Sequence, residues 1–271
     1  MRGTSQASLT AIREQVERHI ADAGADAVLI GEQLYSFVDA LDASGALRRA
    51  LADPSRLPAD KATLVRDLLG DQADERTVAI LVATVSQRWS AEKDLVEAID
   101  ILATDAMLAA AESRGTLETV EGEIFAITRS MSGQREVRRI LSDVTVSTQR
   151  RIGLLDSILA GRVDPVTQRL AQRAAVSPRG DVFVTRLARI GDRAAERRQR
   201  TIATVTVSAP LSAAHMERLE RVLTTSYGKP MHLNITVDPD VVGGIRIQVG
   251  ADVIDSTVLA RLTQVQRRLA G

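Results

Sequence analysis

The chain has 271 residues, 45% of them apolar and 26% charged, and its 35 basic and 35 acidic side chains give a formal net charge of zero; that is enough chain for two or three domains with real cores. Aromatics make up only 2%, so the cores must be built from Leu, Ile, Val and Ala, in a composition that favours helices. Cysteine is absent, which excludes disulfides, thiolate metal sites and a cysteine nucleophile, and points to an intracellular location or a cytoplasmic face.

The first twenty residues carry charges throughout and lack the apolar stretch of a secretory signal. No apolar run approaches the ~18–20 residues needed to cross a bilayer, so no direct membrane insertion is expected and any association runs through a partner. From residue 8 to about residue 200 the dominant period is helical. Leu9, Ile12, Val16 and Ile20 share one face, and Gly24 ends that stretch as a left-handed cap would. Val28, Leu34, Phe37, Val38 and Leu41 continue the pattern up to a break at Ser44-Gly45. Pro54 and Pro58 bracket a loop. Leu64, Val65, Leu68 and Leu69 then face inward, with Gly70 as the stop. Val78, Leu81, Val82 and Val85 line the next helix, and a long one runs over about 91–114. Six helices with short connections imply a bundle over residues 1–115.

Residues 116–200 read as a second copy. A shift of ninety positions places Arg48-Arg49 on Arg138-Arg139, Leu51 on Leu141, Asp53 on Asp143, Leu64 on Leu154, Leu69 on Leu159, Asp74 on Asp164, Thr77 on Thr167 and Tyr35 on Phe125, without a gap. Fixed-period self-similarity across charged and apolar positions marks duplicated architecture. From Arg135 to Arg200 there are fifteen arginines against seven acidic residues, an excess of eight. Such a stretch reads as solvated helix faces, a phosphate- or lipid-facing patch or a protein-facing one. Nucleic acid is disfavoured, because no aromatics interleave with these arginines for base stacking.

At Thr201 the period changes. Ile202, Val205 and Val207 form a β-branched run that Pro210 stops. Ser212 caps a helix carrying Met216, Leu219, Val222 and Leu223. Leu233, Ile235 and Val237 alternate with polar residues, as do Ile245, Ile247 and Val249, and Asp238-Pro239-Asp240 supplies turn chemistry between them. Ser256 opens a last helix. The expected C-terminal domain, residues 201–271, is therefore β-α-β-β-β-α, and the whole is mainly α with a small α+β domain behind an N-terminal helical bundle and a second, duplicated one.

No catalytic, cofactor-binding or metal-binding residues emerge. His19, His215 and His232 lie far apart, outside any two-histidine metal spacing. Gly243-Gly244 opens a strand with no Lys-Ser/Thr behind it, so it reads as a bend with φ > 0 and not as a phosphate loop. Glu121 and Glu123 read as helix-start acids, and Trp89 as a core or bundle-edge anchor.

The C-terminal stretch resembles the delta subunit of F-type ATP synthases, the bacterial counterpart of the oligomycin-sensitivity-conferring protein. The resemblance rests on Met231, Leu233, Val237, Asp238, Val241, Gly243-Gly244, Ile245, Ile247, Gln248 and Gly250, with Asp252 and Asp255 extending it, and on residues 203–212 and 228–230. Asp238, Gly243, Gly244, Gly250 and Asp255 form its structural signature. Leu47-Arg48 through Asp53-Pro54, Lys61, the helix over 64–69 and Arg88-Trp89-Ser90 resemble the family's N-terminal six-helix bundle. Ordinary members carry one bundle, so the segment 116–200 resembles the enlarged actinobacterial form. The resemblance implies a non-catalytic peripheral-stalk subunit of a proton-translocating ATP synthase, peripheral to the cell membrane on its cytoplasmic side. It further implies that the first bundle takes the N-terminal helix of an alpha subunit into an apolar groove, and that the C-terminal domain engages b-type stalk subunits. Groove or core contributors are Tyr35, Phe37, Leu41, Leu81 and Val85. The alternatives are a helical scaffold or regulator unrelated to ATP synthase, and an enzyme.

Overall fold

A computed structural model of the chain describes residue 1 and residues 3–176, 182–227, 231–238, 244–249 and 252–255. Local chemistry sets the helix ends. α1 (Thr4–Ala23) stops at Gly24, whose φ of +56° an L side chain rarely adopts. α2 (Ala27–Ala43) ends at Ser44, and the Ser44 hydroxyl accepts from Leu47 N at 3.2 Å to open α3 (Gly45–Ala52). Pro58 begins α4 (Pro58–Leu69), where its missing N–H costs nothing, and Asp74 caps α5 (Glu75–Val85). α6 (Glu92–Ser113), α7 (Leu117–Ser130), α8 (Arg135–Ser142), α9 (Thr148–Leu159), α10 (Pro165–Val176) and α11 (Phe183–Thr201) follow.

The chain divides into two compact units, Met1–Ala194 and Ala195–Gly271. In the first, α2 lies along α6, and Ile30, Leu34, Val38 and Leu41 meet Leu95, Ile99, Leu102 and Met107 in a buried core. That core runs on without a break through Leu117, Val120 and Ile124 of α7 to Leu170, Leu187 and Ile190.

Within this unit the ninety-residue period recurs in the backbone. α3 shifted by ninety falls on the bounds of α8, and α4 on those of α9. α2 and α7 begin ninety residues apart, as do the α5 segment and α10. α1 lands on residues 94–113, inside α6, and α6 lands across α11. α6 thus falls in both halves of the ninety-residue pattern, and the expected boundary after Gly115 lies between helices of one unit.

The side-chain bonds recur too. Asp74 N and Thr77 Oγ1 donate to Gln33 Oε1 at 3.0 and 2.7 Å. At the shifted positions Asp164 N and Thr167 Oγ1 donate to Glu123 Oε2 at 2.9 and 2.6 Å. Asp53 Oδ1 accepts from Ser55 N at 2.8 Å, and Asp143 Oδ1 from Thr145 N at 2.9 Å. The Ser55 and Thr145 hydroxyls donate to the same oxygens at 2.7 and 2.6 Å, and these bonds, with the backbone ones, hold the carboxyls of Asp53 and Asp143 below the usual carboxylate range.

Asp74 and Asp164 each accept from the backbone N–H two residues on, at 2.8 Å, as helix caps. Asp74→Ala and Asp164→Ala are each expected to lower stability by about 1 kcal/mol in urea unfolding. The bond from Arg76 holds the Asp74 carboxyl below its ordinary value. Its contribution is therefore present above the unfolded-state pKa and fades as pH falls through the folded one, so the Asp74→Ala deficit should shrink in acid.

In the second unit, β1 (Ile202–Val207) is followed by α12 (Ala213–Tyr227), β2 (His232–Val237), β3 (Ile245–Val249) and β4 (Asp252–Asp255). The sheet order is β2-β1-β3-β4. β1 and β2 are parallel, so a crossover must join them, and α12 supplies it. β1–β3 and β3–β4 are antiparallel. Ala203, Val205, Val207, Leu223, Met231, Ile247 and Val249 form a separate small core. The helix expected from Ser256 lies outside the described residues.

Candidate docking site

α5 has more apolar surface than the core consumes. Ile80, Leu81 and Val85 are buried, while Val78, Ala79, Val82 and Ala83 remain half-buried along the other side. With Gln15 of α1, Arg66 of α4, Glu75, Ser86 and Gln87 they line an open groove of about 510 Å³. Val78 and Val82, Ala79 and Ala83 are four apart, so the floor is a stripe along the helix. An apolar stripe with polar edges suits the apolar face of an amphipathic helix.

At the shifted positions of the second repeat the residues that line this groove are exchanged. Shifted by ninety, Val78, Ala79, Val82 and Ala83 become Gln168, Arg169, Gln172 and Arg173, and Arg66 becomes Asp156. Gln168 and Gln172 both donate to Asp156 Oδ1, at 2.8 and 2.6 Å. The two arginines reach the first repeat: Arg169 pairs with Glu32 at 2.9 Å and Arg173 with Asp39 at 2.6 Å. The Arg173 guanidinium stands 4.5 Å over the Tyr35 ring. Its Nε is 3.5 Å from Asp100, which also pairs with Arg186, while Arg193 of α11 bonds Asp105 of α6. Residues that could read as solvated faces thus tie the two repeats together.

Tyr35, Phe37, Leu41, Leu81 and Val85 are all buried. Their places are in the core and not along the groove. The Tyr35 hydroxyl bonds Thr104 Oγ1 at 2.9 Å. Burial, with the Asp100 carboxylate adding, raises its pKa well above the ordinary value, so the phenol stays neutral. Trp89 is buried and donates to Thr84 O at 3.0 Å. Of the signature residues, Asp238 N donates to Val207 O at 2.9 Å and Gly244 has φ +95°, the bend its position called for. Asp255 pairs with Arg246 in the β3–β4 register, and Gly243 and Gly250 lie outside the described residues.

Residues 103–269, more than half the chain, match the family ATP synthase delta (OSCP) subunit. The chain belongs to that family. The matched residues begin inside α6 and take in the second repeat and the C-terminal unit, with the first repeat ahead of them. The relatives align over the whole chain. ATP synthase subunit delta of Beutenbergia cavernae is 45% identical, with 100% of each chain covered. Those of Streptomyces coelicolor and Thermobifida fusca are 39% and 36% identical, covering 100% of this chain and 99% and 100% of theirs. A chain of the Toxoplasma gondii mitochondrial ATP synthase hexamer matches at 19% identity and TM-score 0.33, over 62% of this chain and 95% of that one, a likeness too slight to carry a structural argument. As a delta subunit, the chain is part of the peripheral stalk of an F-type ATP synthase, a membrane-associated complex. No described helix is long and apolar enough to cross a membrane.

Proposed function

We propose that the groove on α5 takes the N-terminal helix of an ATP synthase alpha subunit, and that the C-terminal unit engages b-type stalk subunits on the cytoplasmic side of the membrane. The observation that carries the first assignment is the contrast between repeats. Val78, Ala79, Val82 and Ala83 are open on the first. Their counterparts on the second are polar and bonded elsewhere. In this reading residues 1–115 and 116–200 are a duplicated bundle sharing α6, and residues 201–271 form the third part.

The role is mechanical and not catalytic. A stator must hold the catalytic head still against the torque of the rotor, and a close-packed interior deforms little under load. Two repeats joined through one helix and a shared core offer a longer stiff body than one. The second repeat contributes reach, and its arginines contribute the joint.

Titrating the full chain with a synthetic alpha-subunit N-terminal peptide should give binding at tens of micromolar or tighter. Val82→Asp should weaken it by more than about tenfold, since a carboxylate would be desolvated in the contact. Gln168→Asp, on the second repeat, should leave it unchanged. Absence of binding, or a loss on Gln168→Asp that Val82→Asp does not produce, counts against the assignment.

A further inference from the structure

The second repeat carries a counterpart of the seat that α10 occupies on the first, and every partner group in it has been exchanged. On the first repeat Glu32 and Asp39 meet Arg169 and Arg173, and Tyr35, Thr104 and Asp100 complete the surroundings of Arg173. Ninety residues on, these five positions hold Gly122, Arg129, Phe125, Ala194 and Ile190. One acid is deleted, one is reversed in charge, the buried acid has become an aliphatic and both hydroxyls are gone. A seat built for arginines now offers them nothing.

What remains has a definite chemistry. Ile190 and Ala194 are buried in the core of the unit, so Phe125 is the apolar group that this place exposes. Phe125 is 66% exposed, whereas Tyr35, covered by Arg173, is 8% exposed. A single exposed aromatic would mean little. Here the same position is covered one repeat earlier by an approaching helix, and the exchanges around it are concerted.

We propose that this surface of α7 and α11 docks an amphipathic helix of another polypeptide, apolar toward Phe125 and acidic where it meets Arg129. Charge selects that occupant. Arg129 stands where Asp39 receives a guanidinium, so the incoming group must be a carboxylate. The chain's own residues 256–271 carry three arginines and no acidic residue, the wrong sign for this rim. A second copy offering its own α10 would bring Arg169 and Arg173 against Arg129, which like charges oppose. The site is separate from the α5 groove, which lies on the other repeat.

Two designed helical peptides with the same leucine stripe, one rimmed with glutamate and one with lysine, test this against the full chain by titration calorimetry. The glutamate peptide should bind and the lysine peptide bind at least about tenfold more weakly. Phe125→Ser should reduce glutamate-peptide affinity by about tenfold or more, and Arg129→Glu should reverse the preference between the two. Val82→Asp should change neither, which keeps this result separable from the groove assignment. Both side chains are exposed, and an unchanged melting temperature checks that the variants fold. Equal binding of the two rims, or loss on Val82→Asp but not on Phe125→Ser, overturns the proposal. A photo-cross-linking phenylalanine at position 125 in the assembled complex should capture an acidic helical segment of another subunit. Capture only within this chain, or none, overturns it as well.

Discussion

Asp100→Ala should be the most damaging single change on the polar side of the joint, lowering stability by about 3–5 kcal/mol in urea unfolding. Asp100 sits in the apolar stripe of α6 among Leu95, Ile99 and Leu102, essentially without exposure. It pairs with Arg186 of α11 and faces Arg173 of α10, both of them buried. Removing the carboxylate takes an acid from both Arg186 and Arg173, while both guanidiniums remain desolvated. The cost is that of stranded charge and not of one lost contact. The loss should persist at high salt, because buried pairs are screened far less than exposed ones. A loss below about 1 kcal/mol would mean that water reaches the cluster. The second repeat shows the other solution, with Ile190 at the shifted position. Accordingly Asp100→Ile combined with Arg173→Leu and Arg186→Leu should recover stability to within about 1 kcal/mol of the parent, since well-packed apolar replacements of buried ion clusters are often neutral.

That contrast shows what the sequence could and could not reveal. The ninety-residue period was legible because its markers are local: Asp74 and Asp164 cap helices, Asp53 and Asp143 close the same turn, and leucines hold the same core positions. The small sheet was legible because β-branched alternation has a different period from the helices before it. The groove was not, since Val78 and Val82 count as apolar at helical spacing whether they face the core or solvent. Tyr35, Phe37, Leu41, Leu81 and Val85 are large and apolar, and their size drives them into the core. The trace of the groove in the sequence is that α5 is apolar on two sides. The arginine joint was hidden for a related reason. Arg169 and Arg173 lie in a stretch that reads as solvated faces, a phosphate- or lipid-facing patch or a protein-facing one, and the placement of α10 beside α6 is what brings Arg173 over Tyr35. An aspartate inside an apolar stripe was the trace it left in sequence.

Gly31→Val should lower stability by about 1–3 kcal/mol, and its reason lies where α2 crosses α6. A Cβ added at Gly31 would stand 2.7 Å from Met107 Sδ, 2.8 Å from Met107 Cγ and 3.1 Å from Ala103 O. Two effects oppose each other. Replacing a mid-helix glycine by a residue with a Cβ gains up to about 1 kcal/mol of helix propensity, most for alanine and less for a β-branched residue. Against that, the first two contacts are closer than side-chain carbons tolerate, and Met107 is itself fully buried, so it has little room into which to turn. The third neighbour is backbone of α6 and can yield only if the helices separate. Thioether flexibility absorbs part of the clash for Gly31→Ala, which should fall between neutral and about 1 kcal/mol destabilising. Valine adds two methyls at the same crossing and should cross into clear loss. The companion change Met107→Ala decides the cause. If overpacking is responsible, Gly31→Val should cost less in the Met107→Ala background than in the parent, a coupling measurable by a double-mutant cycle. Additive costs would place the defect in the α2 backbone instead. For a peripheral-stalk subunit stiffness is at stake, because a shift of α2 against α6 would loosen a helix that packs against both halves of the unit.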